Sequence, residues 1–136
     1  MAKKATQSNY TAEIKDASRE LTPKERVMFK DTGNATQLNK LAEEAMVAGS
    51  SAIIEDVRDY AITSIHNEAS EDVDYENYIL IDGAGNKYYT GSKPFWNSFK
   101  AIWDEMHDSG ETWGIQLNLI PSKNYAGKKV LTCSLI

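Results

Sequence analysis

The order of predicted elements in residues 51–136 restricts the fold strongly. A long run rich in β-branched residues begins at Ser51, and two shorter alternating runs, NYILID and KYYTGS, flank the tetrapeptide GAGN. The glycines of GAGN suit the positive φ values of a tight hairpin. Pro94 then predicts the first turn of a helix, and the runs TWGIQLNLI and KKVLTCSLI predict a closing hairpin. The predicted order is therefore three strands, one helix and two strands.

This order is typical of the OB-fold, a five-stranded Greek-key barrel with a helix between its third and fourth strands. We therefore predict a mainly β protein with helices, α+β by content, whose barrel occupies about residues 51–136. With 136 residues, 41% of them hydrophobic, the chain is long enough for one packed domain. We assign that domain to residues 22–136. Residues 1–21 are polar and are predicted to form a flexible arm, with a nascent helix over 11–20.

Residues 22–50 are predicted to add a strand and a helix to the barrel. The run ERVMFKD predicts a short strand, closed by the turn-prone DTGN. Asn34 is the expected N-cap of a helix over ATQLNKLAEEAMVAG, and Gly49 is expected to end it.

The run from Ser51 is long for one strand, and we expect it to bend or to carry a bulge. Alternation assigns its side chains to two faces. The first face is predicted to hold Val57, Ala61, Thr63 and Ile65, and the second Arg58, Tyr60, Ile62 and Ser64. The acidic segment that follows, residues 68–76, predicts a loop.

The composition excludes several classes of protein. The single cysteine, Cys133, excludes an internal disulfide framework and a multi-cysteine metal site. Neither a signal-peptide core nor an apolar run of about 18 residues is present, which predicts a soluble cytoplasmic protein. The two histidines, His66 and His107, lack metal-ligand spacing, and the acidic run lacks the pattern of a calcium loop. We therefore predict no catalytic activity, no metal and no cofactor.

Charge is distributed unevenly along the chain, whose net charge is −5. Residues 1–30 hold seven basic and four acidic side chains. Residues 31–82 hold two basic and twelve acidic side chains, and residues 83–136 hold six basic and four acidic side chains. A phosphate-binding surface needs local positive potential rather than a positive total. The charge therefore permits a nucleic-acid partner without requiring one.

Aromatic and basic residues are concentrated in residues 86–103, NKYYTGSKPFWNSFKAIW. Helical phase assigns part of this cluster to a core stripe, namely Phe95, Phe99, Ile102 and Met106. In the preceding strand, Lys87 and Tyr89 share one face and Tyr88 points to the other, so at least one tyrosine is expected outside the barrel. Bases stack on aromatic rings and lysines contact phosphates, a combination that favours single-stranded nucleic acid.

A second basic group, PSKNYAGKK, lies between the last two predicted strands. It predicts either a ligand-binding loop or a solvated turn. The predicted nucleic-acid contacts from both groups and from the first long strand are Arg58, Tyr60, Tyr78, Lys87, Tyr88, Tyr89, Lys93, Trp96, Lys123, Tyr125, Lys128 and Lys129.

The segments YILIDGAGNKYYTGSKPFWNSFKAIWDEM and WGIQLNLIPSKNYAGKKVLTCSLI resemble the single-stranded DNA-binding proteins of phages and conjugative plasmids of Gram-positive bacteria. The resemblance covers roughly residues 53–136. It implies an OB-fold that binds single strands during replication, recombination or transfer. Unlike housekeeping bacterial proteins of this function, the chain ends in a predicted strand rather than a long acidic tail. The N-terminal arm, with Lys3, Lys4 and Tyr10, is predicted either to reach a neighbouring subunit and support self-association or to be a flexible terminus without a role.

Two other classes of function stay open. The first is an OB-type module that binds a protein or an oligosaccharide, in which acidic residues would line the groove. The second is an enzyme, which would need a cluster of carboxylates. Single-stranded RNA is also compatible with stacking and phosphate contact, since neither reads the 2′-hydroxyl.

Overall fold

The computed structural model describes residues 10–123 and 127–136. Within these residues, eight strands and three helices follow one another. The strands are β1 (Tyr10–Ala17), β2 (Thr36–Gln37), β3 (Ile53–Ile54), β4 (Val57–Asn67), β5 (Asp74–Asp82), β6 (Lys87–Thr90), β7 (Ile115–Pro121) and β8 (Lys129–Leu135). The helices are α1 (Pro23–Lys30), α2 (Leu38–Val47) and α3 (Lys93–Met106).

The strands form two sheets, which confirms the α+β class. The large sheet has the order β1-β4-β5-β6-β2, and the small sheet has the order β3-β7-β8. The described strands do not close into a barrel. One reason is that the edge of β6 that faces away from β5 pairs in parallel with β2, at Thr36 with Tyr88 and at Gln37 with Tyr89.

The edge of β8 is also occupied, by side chains of α3 rather than by a strand. The Ser92 hydroxyl donates to the Leu131 carbonyl oxygen at 3.2 Å, and the Cys133 N–H donates to the Ser98 hydroxyl oxygen at 3.1 Å. These two serines satisfy backbone groups that a closing strand would otherwise pair with.

Residues 51–67, predicted as one long strand, are divided between the two sheets. The chain changes direction at Asp56, whose φ of 56° is uncommon for a residue with a side chain. A bulge follows between Val57 and Asp59, so the expected bend and bulge are confirmed. Because the bulge shifts the alternation, Val57 packs in the same core cluster as Tyr60 and Ile62, and the predicted assignment of Val57 to the opposite face is wrong.

Two predictions for the N-terminal third are wrong. Residues 10–17 form β1, an edge strand antiparallel to β4, rather than part of an arm or a nascent helix. The run predicted as a strand is helix α1, because Thr22 and Glu25 form a capping box and Pro23 fits the first turn. Both elements are held by long-range burial, since Ile14 of β1 and Phe29 of α1 pack in one cluster.

The other two helices agree with the sequence in type. Helix α2 begins at Leu38, four residues after the predicted N-cap, because residues 36–37 pair with β6. Gly49 follows its end with a φ of 73°. Helix α3 is confirmed, with Ser92 as N-cap accepting from the Phe95 N–H.

The main core lies between the two sheets and α3. The predicted stripe of α3 is confirmed, because Phe95 and Phe99 are fully buried and Ile102 and Met106 pack against the cluster. Other buried members come from the large sheet, the small sheet, α2 and the segment before β7; they include Leu80, Ile115, Leu131, Leu38 and Trp113.

A second, smaller core lies on the other face of the large sheet. Leu21 and Phe29 bury Ala61 of β4 and Ile79 of β5, and Tyr89 packs against this cluster. Helix α1 therefore covers the outer face of β4 and β5. Among the described residues, no helix is long and apolar enough to cross a membrane.

Candidate nucleic-acid interface

Three predicted contact residues, Tyr60, Tyr78 and Trp96, come together in the main core. The Tyr78 and Trp96 rings stack with centroids 5.0 Å apart and planes 5° apart, and Tyr60 meets Trp96 edge-on at 5.0 Å. Their exposed fractions are only 5%, 2% and 8%. No base reaches these rings without displacing the packing of α3, so they act as core residues here.

Burial also changes the chemistry of the two tyrosine hydroxyls. Burial is the main cause that raises the pKa of Tyr78 to about 12, and the hydrogen bond that its hydroxyl donates to Glu76 at 3.1 Å is the second cause. Burial raises the pKa of Tyr60 in the same direction. Both hydroxyls therefore stay protonated at neutral pH.

Tyr88 and Lys87 have structural partners. The Tyr88 hydroxyl donates to Asp82 Oδ2 at 2.9 Å, and burial together with this bond raises the pKa of Tyr88 to about 12. Lys87 Nζ donates to the carbonyl oxygens of Met28 at 2.5 Å and Asp31 at 2.6 Å, at the end of α1. These bonds hold the β5–β6 hairpin and α1 in position.

Tyr89 and Arg58 occupy separate surfaces. Tyr89 is half-buried and lines a cleft of about 440 Å³ with Gln37 and Lys40. Arg58 is exposed and forms a two-bond ion pair with Asp56, at 2.7 and 3.0 Å. The prediction that Arg58 and Tyr60 share a face is wrong, because the bulge separates an exposed side chain from a buried one.

The four remaining lysines of the predicted site are exposed. Lys123 and Lys128 flank the turn of the β7–β8 hairpin, where the Ser122 N–H donates to the Lys128 carbonyl oxygen at 2.9 Å, and Lys129 begins β8. Within the part of the chain that the structure describes, none of the three hairpin lysines forms an ion pair. Lys93 begins α3 and its charge acts on Glu76, whose pKa is lowered chiefly by the hydrogen bond from Lys15.

Three predicted residues, Lys3, Lys4 and Tyr125, lie outside the described residues. Tyr10 is the first residue of β1, opposite Asn67, and its side chain is 47% exposed. Burial and the nearby Tyr75 raise the pKa of the Tyr10 hydroxyl.

A cleft of about 390 Å³ lies between the acidic loop and the start of α3. Tyr75, Asp72, Glu76 and Lys93 line it. At the base of this loop, His66 of β4 lies between two carboxylates, with Nδ1 2.7 Å from Asp74 of β5 and Nε2 3.1 Å from Glu68, and these contacts raise the pKa of the imidazole.

The described residues contain no cluster of three or more histidine, cysteine, aspartate or glutamate side chains that fits a metal ion. Burial raises the pKa of the Cys133 thiol to about 11, so this thiol is protonated at neutral pH.

The sequence-based prediction did not single out the outer face of the small sheet. Alternation along β7 and β8 directs Leu117, Leu119, Leu131 and Cys133 into the core. Their neighbours therefore form the opposite face. These neighbours are Ile53, Gln116, Asn118, Ile120, Val130, Thr132 and Ser134, which we call the neutral face. The signal for it in the sequence was a strand pair whose one charged residue, Lys129, lies at its end.

Comparison with protein-family models, with curated proteins and with solved structures finds no significant match to the chain. Its function therefore has to be inferred from its own residues.

Proposed function

We propose that this protein binds single-stranded nucleic acid, principally DNA, with little dependence on base sequence. In this role it coats and protects exposed strands during replication, recombination or conjugative transfer of a phage or plasmid, in the bacterial cytoplasm. It needs neither a cofactor nor a catalytic group for this. The resemblance of residues 53–136 to single-stranded DNA-binding proteins of such elements supports the role.

One observation carries the proposal. Residues 112–136 contain three lysines and no acidic residue, although the whole chain has a net charge of −5. Lys123, Lys128 and Lys129 are exposed and lack ion-pair partners among the described residues. Exposed, unpaired lysines concentrated on one hairpin create local positive potential, which phosphates need for binding.

We also infer that residues 53–135 are an opened form of the OB arrangement. Three features support this inference. Strands β3 and β4 together take the place of a first strand shared between the two sheets; β5, β6, α3, β7 and β8 then follow in the expected order; and β5–β6 and β7–β8 are antiparallel hairpins. The ligand would then lie on the side of the molecule that carries the β7–β8 hairpin. The outer face of β4 and β5 is unsuitable, because α1 covers it.

A direct test compares charge reversal on the hairpin with charge reversal elsewhere. The variant Lys128→Glu/Lys129→Glu is matched by Lys24→Glu/Lys40→Glu, which changes the net charge equally. Lys24 and Lys40 are exposed residues of the first turns of α1 and α2, where a carboxylate is favourable. Fluorescence anisotropy with labelled oligo-dT, an RNA oligomer and a duplex of equal length, at several salt concentrations, measures affinity and its salt dependence.

The wild type and the matched variant should prefer the single strand, with affinity that falls as salt rises. The hairpin variant should bind weakly, and its salt slope should be smaller by about 1.4, from two phosphate contacts at about 0.7 each. Equal binding by both variants would remove the hairpin from the interface. A folded wild type that binds none of the three probes would refute the proposed function.

A second candidate function is binding of an oligosaccharide or a protein. The cleft at Tyr75 favours it, because a tyrosine ring and two carboxylates, Asp72 and Glu76, line about 390 Å³. In that case Tyr75→Ala should abolish binding to a glycan or protein array, with little effect of salt.

Self-association through the N-terminal segment is a further part of the proposal. Residues 10–17 form β1, so the appropriate deletion removes residues 1–9 and leaves that strand intact. The deletion should weaken assembly on long single strands more than binding to short ones. An equal loss of affinity for long and short single strands would contradict self-association through this segment.

A further inference from the structure

The neutral face is unusual for this chain. It has seven residues without a charge in a protein of which 26% is charged. Ile53 and Ile120 on this face are 44% and 48% exposed. Ile120 and its ladder partner Val130 form an apolar pair flanked by polar residues, and exposed apolar patches with a polar rim often mark a binding site.

The neutral face leads directly to the lysines of the hairpin. Ile120 is opposite Val130, and the next pair of the ladder is Pro121 with Lys129. Lys123 and Lys128 follow at the turn. By the same alternation along β8, Lys129 points to the opposite face of the small sheet, whereas Lys123 and Lys128 lie just beyond Ile120 and Val130. An anionic polymer held at Lys123 and Lys128 is therefore adjacent to the neutral face.

The side chains of this face suit bases better than phosphates. The Gln116 amide donates to Asn118 Oδ1 at 3.4 Å, and the Asn118 amide donates to the Ser134 hydroxyl oxygen at 2.7 Å. Each amide group retains a second N–H, and Gln116 retains its carbonyl oxygen, for an outside partner. Amides contact base edges, and aliphatic groups such as those of Ile120 contact the flat or methylated parts of bases.

We propose that the bases of a bound single strand lie on the neutral face, while its phosphates contact Lys123 and Lys128 at the end of that face. The inference rests on the proposed function and extends it by locating the base-contacting surface. It also accounts for the preference for single strands, because paired bases do not present their faces and edges to such a surface. The buried rings Tyr60, Tyr78 and Trp96 have no part in it.

The test combines protein variants with a probe that lacks bases. The variant Ile120→Ala/Val130→Ala shortens two side chains of the face without changing charge, and Ile120→Ala alone is the milder change. Val27→Ala is the matched control, because Val27 is 66% exposed on α1, on the far side of the large sheet. The probes are labelled oligo-dT and an abasic sugar-phosphate oligomer of equal length, each titrated at two salt concentrations.

The double variant should bind oligo-dT about tenfold more weakly than the wild type, which is equivalent to about 1.4 kcal/mol. Its affinity for the abasic oligomer and its salt slope should be unchanged, because neutral side chains release no counterions. The Val27→Ala control should match the wild type on both probes.

Three results would overturn the inference. An unchanged affinity of the double variant for oligo-dT, with a loss in Lys128→Glu/Lys129→Glu, would refute the base-contacting face and leave the proposed function intact. An equal loss on both probes would show that bases are not the contacted group. A change in mass by analytical ultracentrifugation, without a change in affinity, would assign the face to a second copy of the chain.

Discussion

Gly114 lies at the junction of the two sheets, where a side chain has no room. A Cβ atom built on it would lie 2.4 Å from the Ile54 carbonyl oxygen and 3.1 Å from the Glu55 Cα. The neighbouring backbone is fixed on both sides, because the Val57 N–H donates to the Trp113 carbonyl oxygen and Ile54 pairs with Ile115. Reaching even a tight contact of 3.0 Å requires a backbone shift of about 0.6 Å.

The variant Gly114→Ala should therefore be strongly destabilising. Overpacking typically costs about 1–3 kcal/mol, and we expect about 3 kcal/mol because the obstructing atoms belong to the backbone. For a domain of this size the loss lowers Tm by on the order of 10 °C. Gly91→Ala is the matched control, since its nearest neighbour, the Glu76 carbonyl oxygen, would be 3.6 Å from the new Cβ.

Urea unfolding and scanning calorimetry of both variants measure the difference. The two substitutions reduce the entropy of the unfolded chain alike, by about 0.4–1 kcal/mol, so this contribution cancels in the comparison. The urea midpoint of Gly114→Ala should fall with an unchanged m value. If Gly114→Ala is as stable as Gly91→Ala, the tight junction between the sheets is refuted.

Three further predictions concern polar contacts. Lys87→Met should cost about 1 kcal/mol in urea unfolding, because the last carbonyl oxygens of α1 lose their donor. The hydrogen bond from Arg19 is the main cause that lowers the pKa of the Glu25 carboxyl to about 2. The ionised carboxylate of Glu25 therefore stabilises the folded state above pH 4.5, and this stabilisation is lost as pH falls through about 2. Glu25→Gln should flatten the acid limb of a Tm–pH profile. The hydrogen bond to Asp74 is the main cause that raises the pKa of the His66 imidazole above 6.5. Protonated His66 therefore stabilises the folded state fully below pH 6.5, and this stabilisation is lost as pH rises through the raised pKa. An NMR titration of His66 measures that pKa.

Helix α1 has a consequence for function as well as for stability. It covers Ile79 of β5, and Tyr89 of β6 packs against the same cluster, so the outer face of the strands that would present the ligand surface of an OB-fold is partly occupied. Lys87, predicted to contact phosphate, is instead bonded to the end of this helix. Of the lysines predicted to contact phosphate, Lys93 and the three lysines at the β7–β8 hairpin stay exposed, and the three hairpin lysines are the ones grouped together, which is why the proposed interface lies there.

Local sequence patterns were sufficient for the elements whose signal lies within a few residues. The GAGN hairpin, the helix from Pro94 and the β7–β8 pair depend on turn glycines, a capping serine and strict alternation, all of which act locally. The lysines of residues 112–136 are also evident from the sequence, because no acidic residue is present to pair with them nearby.

The tertiary structure decided whatever depends on partners distant in sequence. Residues 10–17 are a strand because β4 offers them an edge, and β6 accepts β2 at the edge where a barrel would close. The sequence does not distinguish an aromatic residue that binds a ligand from one that fills the core, and this applies to Tyr60, Tyr78 and Trp96. The packing of α3 on the large sheet buries them, with Trp96 stacked on Tyr78 and Tyr60 in edge contact with Trp96, Phe99 and Trp103. Removal of a large apolar ring from water stabilises the fold. The sequence alone therefore determined the two hairpins, the helix that starts near Pro94 and the basic hairpin. Long-range burial and edge pairing determined how the sheets meet and which aromatic rings remain accessible.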